Sequence, residues 1–157
     1  MKPLETLGRN EQVQLPEIDQ HVVYARVDTG AKTSSIWAST VKEVKGGLKV
    51  VFYGPRSPQY TGTEHFFPEF EQVVVVSSNG IAEKRYKIRL LIIVGGRKIR
   101  VWFTLADRST QVYPILIGRN ALRNKFIVDV TTFSKVPKPK GLKDKAHAAK
   151  IKKEVDL

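Results

Sequence analysis

Ala25-Arg26-Val27-Asp28-Thr29-Gly30-Ala31 is the stretch of this sequence that decides the fold. An apolar strand, His21 to Val27, runs directly into the Asp-Thr-Gly tripeptide. Because Gly30 tolerates backbone angles and close approaches that a Cβ would forbid, the turn can hold the Asp28 carboxylate in one direction. Asp and Gly are also ordinary turn residues, so the tripeptide alone is equally explained by a carboxylate that closes a turn.

A second segment, Tyr113 to Leu122, makes the evidence for a functional Asp28 more specific. It contains a short apolar strand that runs through Gly118-Arg119-Asn120 into the start of a helix. Together and in this order, the two segments resemble the retropepsins, the single-domain aspartic proteases of retroviral type. In that family the first motif supplies the catalytic Asp, and the second is a strand packed beneath it. The resemblance covers about residues 21–130.

The remaining pattern predicts strands and hairpins along the whole body. Asn79-Gly80 is a strong hairpin signal between two strand-forming runs. Two longer strands, 85–94 and 98–105, flank Gly95-Gly96. Residues 54–70 are expected to form an irregular loop or a wandering edge segment. This order predicts an all-β fold, and the resemblance implies a closed acid-protease barrel with one short helix over 118–124.

The 157 residues fit one domain with appendages. We expect a flexible N-terminus over 1–10, a retropepsin-like domain over 11–133 and a basic C-terminal tail over 134–157. The chain has no cysteine, which excludes disulfides, thiolate nucleophiles and cysteine zinc sites. No apolar run approaches the roughly 20 residues that span a bilayer, and the first ten residues lack a secretory signal. A cytoplasmic protein that does not enter the membrane is the expectation.

The net charge of +12 is divided between the tail and the body. From Lys135 onward, eight lysines face three acids, so the tail carries +5 and the rest of the chain +7. A basic body favours an acidic partner such as nucleic acid, the ribosome or a glutamate-rich peptide. A solvated basic surface explains the same charge equally well.

Four short motifs give a narrower resemblance, to the bacterial and archaeal retropepsin-like proteins. They are Asp28 to Ser34, Ser77 to Gly80, Ala106 to Thr110 and Ile117 to Leu122. Members of that group often carry the name ATP-dependent zinc protease, and some occur beside ATP-grasp ligases that add glutamates to proteins. The sequence has scattered histidines, no His-Glu-x-x-His and no phosphate-binding glycine loop. We therefore expect no metal and no cofactor.

Aspartic proteolysis needs two carboxylates that share one proton. This chain has a single Asp-Thr-Gly, so a complete site would require a C2 homodimer that brings two Asp28 residues together. The resemblance implies a peptidase that cleaves peptide or isopeptide bonds, and the basic body favours glutamate-rich chains as substrates. The competing interpretation is a non-catalytic binding module on the same fold, for nucleic acid, the ribosome or acidic peptides.

The resemblance also implies roles for the residues around the two motifs. Asp28 would be the acid and base, Thr29 would hydrogen-bond across the dimer, and Gly30 would let the substrate backbone approach. The substrate-binding residues would be Ala31, Lys32 and a flap formed by Ser77, Ser78, Asn79 and Gly80. Structural support would come from Leu116, Ile117, Gly118 and Arg119.

Lys32 departs from the retroviral pattern. Retroviral enzymes usually have an acid at this position, and it pairs with the arginine of Gly-Arg-Asn. Arg119 therefore needs a different partner here. Lys32 either attracts acidic groups of the substrate or is an ordinary solvent-facing lysine.

Overall fold

The computed structural model describes residues 3–76 and 78–134, with the backbone alone at 19–21. Ser77 and residues 135–157, which include nearly all of the predicted tail, lie outside the described residues. The described part contains eleven strands and one helix. Their bounds are β1 Glu5–Leu7, β2 Asn10–Leu15, β3 Asp19–Val27, β4 Ser34–Val44, β5 Gly47–Phe52, β6 Glu64–Phe67, β7 Glu71–Val76, β8 Ala82–Val94, β9 Arg97–Ala106, β10 Ile115–Ile117, α1 Arg119–Leu122 and β11 Phe126–Val128.

Six strands close into a barrel in the order β10, β3, β2, β8, β9 and β4, because β4 also pairs with β10. β10 lies between β3 and β4, parallel to the first and antiparallel to the second. β5 and β6 extend the sheet beyond β4, and β7 pairs with β8. The predicted all-β barrel with one short helix is confirmed.

Alternation of apolar and polar residues builds the barrel core. Val23, Ala25 and Val27 of β3 are buried, as are Ile88 and Leu90 of β8. The side chains between them along each strand point to the other face, since side chains alternate across a strand. This alternation fixes which residues of β3 can reach the surface near Asp28.

The hairpin of β7 and β8 projects beyond the barrel. Its strands pair from Glu71 opposite Lys87 to Val76 opposite Ala82. Gly80 lies in the connecting turn with a φ of +81°, a left-handed conformation that strains other residues. The hairpin predicted from Asn79-Gly80 is therefore present.

One segment differs from the sequence expectations. Residues 5–7, within the expected flexible N-terminus, form β1, which pairs in parallel with β11, and Leu7 is buried. This strand depends on a partner distant in the sequence, which a local pattern does not reveal. Residues 64–67, within the stretch expected to be an irregular loop or an edge segment, form β6 at the edge of the sheet beside β5. The helix occupies only 119–122 of the predicted 118–124.

Candidate active site

Asp28 lies immediately after β3, in a turn held by three hydrogen bonds. Its backbone N–H donates to the carbonyl oxygen of Ile117 at 2.9 Å, which continues the pairing of β3 with β10. Its Oδ1 accepts from the N–H of Gly30 at 2.9 Å, and its carbonyl accepts from the N–H of Ala31 at 3.3 Å. Asp28 is partly buried, whereas Thr29 and Gly30 are exposed. The carboxylate is thus fixed in direction beside an open surface.

Gly118 packs directly beneath this turn. A Cβ at this position would lie 2.7 Å from the carbonyl carbon of Thr33 and 3.0 Å from the carbonyl oxygen of Ala31. The next two backbone N–H groups, of Arg119 and Asn120, donate to the carbonyls of Ala31 and Lys32 at 2.8 and 3.2 Å. The structure therefore brings together the two segments that the sequence singled out.

Arg119 contacts the backbone of the turn. Its Nη1 donates to the carbonyl oxygens of Thr29 at 3.3 Å and Gly30 at 3.1 Å. Lys32 is exposed. In place of the acidic side chain that the retroviral pattern has at position 32, Arg119 therefore binds main-chain oxygens of residues 29 and 30. Such oxygens are available whatever the side chains are.

The other two supporting residues differ in burial. Ile117 is fully buried, and its carbonyl accepts the bond from Asp28. Leu116 is only partly buried, because alternation along β10 turns it to the opposite face. Leu116 is therefore partly exposed on the outer face of the barrel, whereas Ile117 belongs to the core.

Ser34 and Asn120 hold the turn to the barrel, and the sequence reasoning missed both. The Asn120 Oδ1 accepts from the N–H and Oγ of Ser34 at 2.9 and 2.7 Å, and its Nδ2 donates to the carbonyl of Trp102 at 2.9 Å. The Ser34 Oγ accepts from the N–H of Gly118 at 3.0 Å. The available signal was the polar residue Ser34 at the start of an apolar strand.

The predicted flap residues Ser78, Asn79 and Gly80 lie exposed at the tip of the β7–β8 hairpin. Ser77 lies outside the described residues. Val74 and Val76 near the tip are 68% and 63% exposed, an unusual amount for valines in a strand. Closure of this tip over Asp28 stays a prediction.

Two other aspartates, Asp107 and Asp129, also follow strands, and each accepts hydrogen bonds within its own turn. The Asp107 carboxylate accepts the N–H of Ser109 at 2.9 Å, and hydrogen bonds from Ser109 lower the pKa of Asp107. The Asp129 carboxylate accepts from the hydroxyl and N–H of Thr131, and these bonds lower the pKa of Asp129. Both carboxylates close turns, so neither is positioned as a second acid for Asp28.

Within 3–76 and 78–134, no group of three or more His, Cys, Asp or Glu side chains is placed to hold a metal ion. In the same ranges, no helix has the length and apolar character needed to cross a bilayer.

Known proteins resemble this chain in structure and in sequence. The crystal structure of Lpg0085 from Legionella pneumophila, a protein of unknown function, superposes with a TM-score of 0.60. The two chains are 29% identical, over 82% of this chain and 95% of Lpg0085. This likeness extends over nearly the whole of the solved protein.

Curated relatives carry a different name. Probable alpha-L-glutamate ligases from Shewanella pealeana and Parasynechococcus marenigrum are 34% and 28% identical to this chain over 78% of its length. The match spans only 28% and 27% of those proteins, so most of each ligase has no counterpart in it.

A family model identifies the chain more directly. The model, described as retropepsin-like aspartic endopeptidase RimB, matches residues 6–138, which include both segments that meet at Asp28 and every strand from β2 to β11. The predicted retropepsin resemblance is confirmed. The chain belongs to the RimB-like family of retropepsin-like proteins.

Proposed function

We propose that this protein is an aspartic peptidase whose active site forms when two copies bring their Asp28 carboxylates together. The observation that carries the proposal is the geometry at Asp28 in a chain of the RimB-like family. A partly buried carboxylate is fixed by Gly30, lies beside an exposed surface and is supported from below by Gly118. One protomer provides one such carboxylate, and the chemistry needs two.

The reaction follows from the charges of such a pair. Two carboxylates in close contact cannot both be ionised, so the pair holds one proton. The ionised Asp28 takes a proton from water, whose oxygen attacks the scissile carbonyl carbon, while the protonated Asp28 gives its proton to the carbonyl oxygen. The tetrahedral gem-diol then breaks its C–N bond: the carboxyl that took the water proton gives it to the leaving amine nitrogen, while the other carboxylate takes the proton of one diol hydroxyl, which restores the singly protonated pair.

The neighbouring residues take supporting parts in this proposal. Thr29 is exposed next to Asp28 and can contact the partner subunit, and exposed Gly30 leaves room for the substrate backbone. Arg119 holds the carbonyls of both residues, which keeps the turn in place. The β7–β8 hairpin tip covers the bound substrate and excludes water.

We propose acidic, glutamate-rich chains as the substrates, joined by peptide or isopeptide bonds. Two cations, Lys32 and Arg119, are exposed within a few residues of the two motifs. The curated relatives are named as probable alpha-L-glutamate ligases, which supports a substrate that contains glutamate. A positive field beside Asp28 raises the local concentration of an anionic chain.

Asp28→Asn tests the proposed mechanism. An asparagine keeps an Oδ1 that can accept the Gly30 N–H, so the fold should persist and the melting temperature should stay within a few degrees. Hydrolysis of a glutamate-rich peptide should fall to background. Asp107→Asn is the matched control, since Asp107 closes a different turn and its loss should leave hydrolysis unchanged. Equal hydrolysis by Asp28→Asn and the wild type would reject the mechanism.

A binding module without hydrolysis is the second candidate, and one surface favours it. Arg85, Lys87 and Arg89 alternate along one face of β8. Arg85 pairs with Glu83 at 3.3 Å, and Lys87 pairs with Glu71 at 3.9 Å. Arg89 is the most exposed of the three cations. Binding of RNA to this face would weaken steeply with salt and survive Asp28→Asn, whereas a peptidase loses turnover in the same variant.

A further inference from the structure

Arg26 shares a face of β3 with Asp28. Val23, Ala25 and Val27 are buried in the barrel core, so the residues between them, Arg26 and Asp28 included, point to the opposite face. Two residues along a strand are about 7 Å apart, and the arginine side chain is long enough to cover that distance. The Arg26 guanidinium is therefore within reach of any group bound next to the Asp28 carboxylate.

None of the described side chains supplies a counter-charge to Arg26. Arg26 is partly buried, and its register partners are Leu116 of β10 and Asn10 of β2. The Asn10 side chain is occupied, since its Nδ2 donates to Tyr113 Oη and its Oδ1 accepts from the N–H of Ser134, at 2.9 and 2.6 Å. Among residues with described side chains, no carboxylate lies within ion-pair distance of Arg26.

An arginine guanidinium keeps its positive charge throughout the physiological pH range. Partial burial removes some of its water and makes an incoming carboxylate a favourable partner. Lys32 is exposed, and Arg119 already donates to two carbonyls. Of these three cations, Arg26 alone combines partial burial with a guanidinium that has no partner among the described side chains.

We propose that Arg26 is the residue that determines specificity, by binding the carboxylate of an acidic side chain adjacent to the scissile bond. The proposal rests on the peptidase function proposed above. A C2 dimer places one Arg26 beside each Asp28, so the two guanidinium groups flank the scissile bond symmetrically. The site therefore prefers a bond with an acidic residue on both sides, and an acid on one side satisfies only half of it.

The test compares Arg26→Met and Arg26→Lys with the matched control Arg56→Met. Arg56 is an exposed arginine in the loop after β5, outside both candidate binding surfaces. The substrates are α-linked octaglutamate and a peptide of equal length that alternates glutamate and glutamine, so that each bond has one acidic neighbour. The wild type should prefer octaglutamate. Arg26→Met should lower kcat/KM for octaglutamate on the order of 100-fold and bring the preference close to one, with Arg26→Lys between them.

Binding provides a readout that does not require turnover. Octaglutamate is titrated calorimetrically into Asp28→Asn and into the double variant that adds Arg26→Met, after thermal melting shows both folded. The double variant should bind at least about tenfold more weakly. If the wild type hydrolyses neither peptide but Arg26→Met still weakens binding, the hydrolytic function fails and the role of Arg26 stands. Octaglutamate that does not bind, or kinetic preferences and affinities equal to those with Arg56→Met, would overturn the role of Arg26.

Discussion

At the scale of single residues, the backbone contact at Gly118 supports the turn that presents Asp28. The glycine lies against the main chain of Ala31 and Thr33, which cannot move aside as the end of a flexible side chain could. Interiors are packed closely enough that one added methyl group forces a backbone shift. The position of Asp28 and the stability of the barrel therefore depend on the same contact.

Gly118→Ala should lower the free energy of unfolding by about 1–3 kcal/mol, as overpacking does elsewhere, and should reduce hydrolysis by displacing the turn. Denaturant unfolding measures the first effect and kcat/KM the second. Gly30→Ala is the comparison, because its Cβ would meet only the Asp28 Oδ1, at 3.3 Å. It should cost less stability than Gly118→Ala. A larger loss of unfolding free energy with Gly30→Ala than with Gly118→Ala would contradict the importance of the backbone contact at Gly118.

The sequence could predict the residues of the two motifs but not the contacts that join them. Asp28, Gly30 and Gly118 belong to short patterns with a local physical reason. Ser34 and Asn120, 86 residues apart, meet only because β10 lies between β3 and β4. Arg26 could have been singled out by alternation, since it precedes Asp28 by two residues on one strand, but its lack of an acidic partner requires the structure.

At the scale of elements, the β7–β8 hairpin has two chemically different faces. Val74 and Val76 lie opposite Lys84 and Ala82, on the face that continues toward the core residue Ile88. Val75 lies opposite Glu83 on the other face. Both valines are more than 60% exposed. Exposed apolar side chains grouped on one face are typical of a surface that binds another molecule, so we expect this face to cover the substrate.

Val76→Ser should lower kcat/KM about tenfold if this face covers the substrate, because burial of a valine side chain on closure contributes on the order of 1–2 kcal/mol. The melting temperature should barely change, since Val76 is already exposed in the free protein. Val75→Ser on the opposite face is the control. Equal effects of the two substitutions on kcat/KM would argue against closure by this face.

The strands that the sequence could predict are those with a local signal. Asn79-Gly80 and Gly95-Gly96 mark hairpins whose partners follow one another, and both hairpins are present. β1 was not predicted, since it is short and becomes a strand only by pairing with a distant segment. For β1 that partner, β11, lies about 120 residues further along the chain.

At the scale of the whole molecule, one protomer carries half of the proposed site. A tenfold excess of Asp28→Asn, refolded together with a fixed amount of wild type, should reduce hydrolysis to about one tenth by random pairing. The same excess of Asp107→Asn, which keeps Asp28, should raise hydrolysis instead. If the excess of Asp28→Asn leaves the hydrolysis by the wild type unchanged, each wild-type chain is active on its own. The proposal of a site shared by two chains would then be wrong.

The parallel pairing of β1 with β11 has a mechanical consequence. The two strands run side by side from Glu5 opposite Phe126 to Leu7 opposite Val128, and the bond from Arg9 N–H to the Thr132 carbonyl at 2.8 Å continues the contact. Tension on the two chain ends pulls parallel neighbours in opposite directions along their length. The hydrogen bonds are then loaded together in shear, not peeled one at a time, so this small clasp resists extension before the barrel is strained.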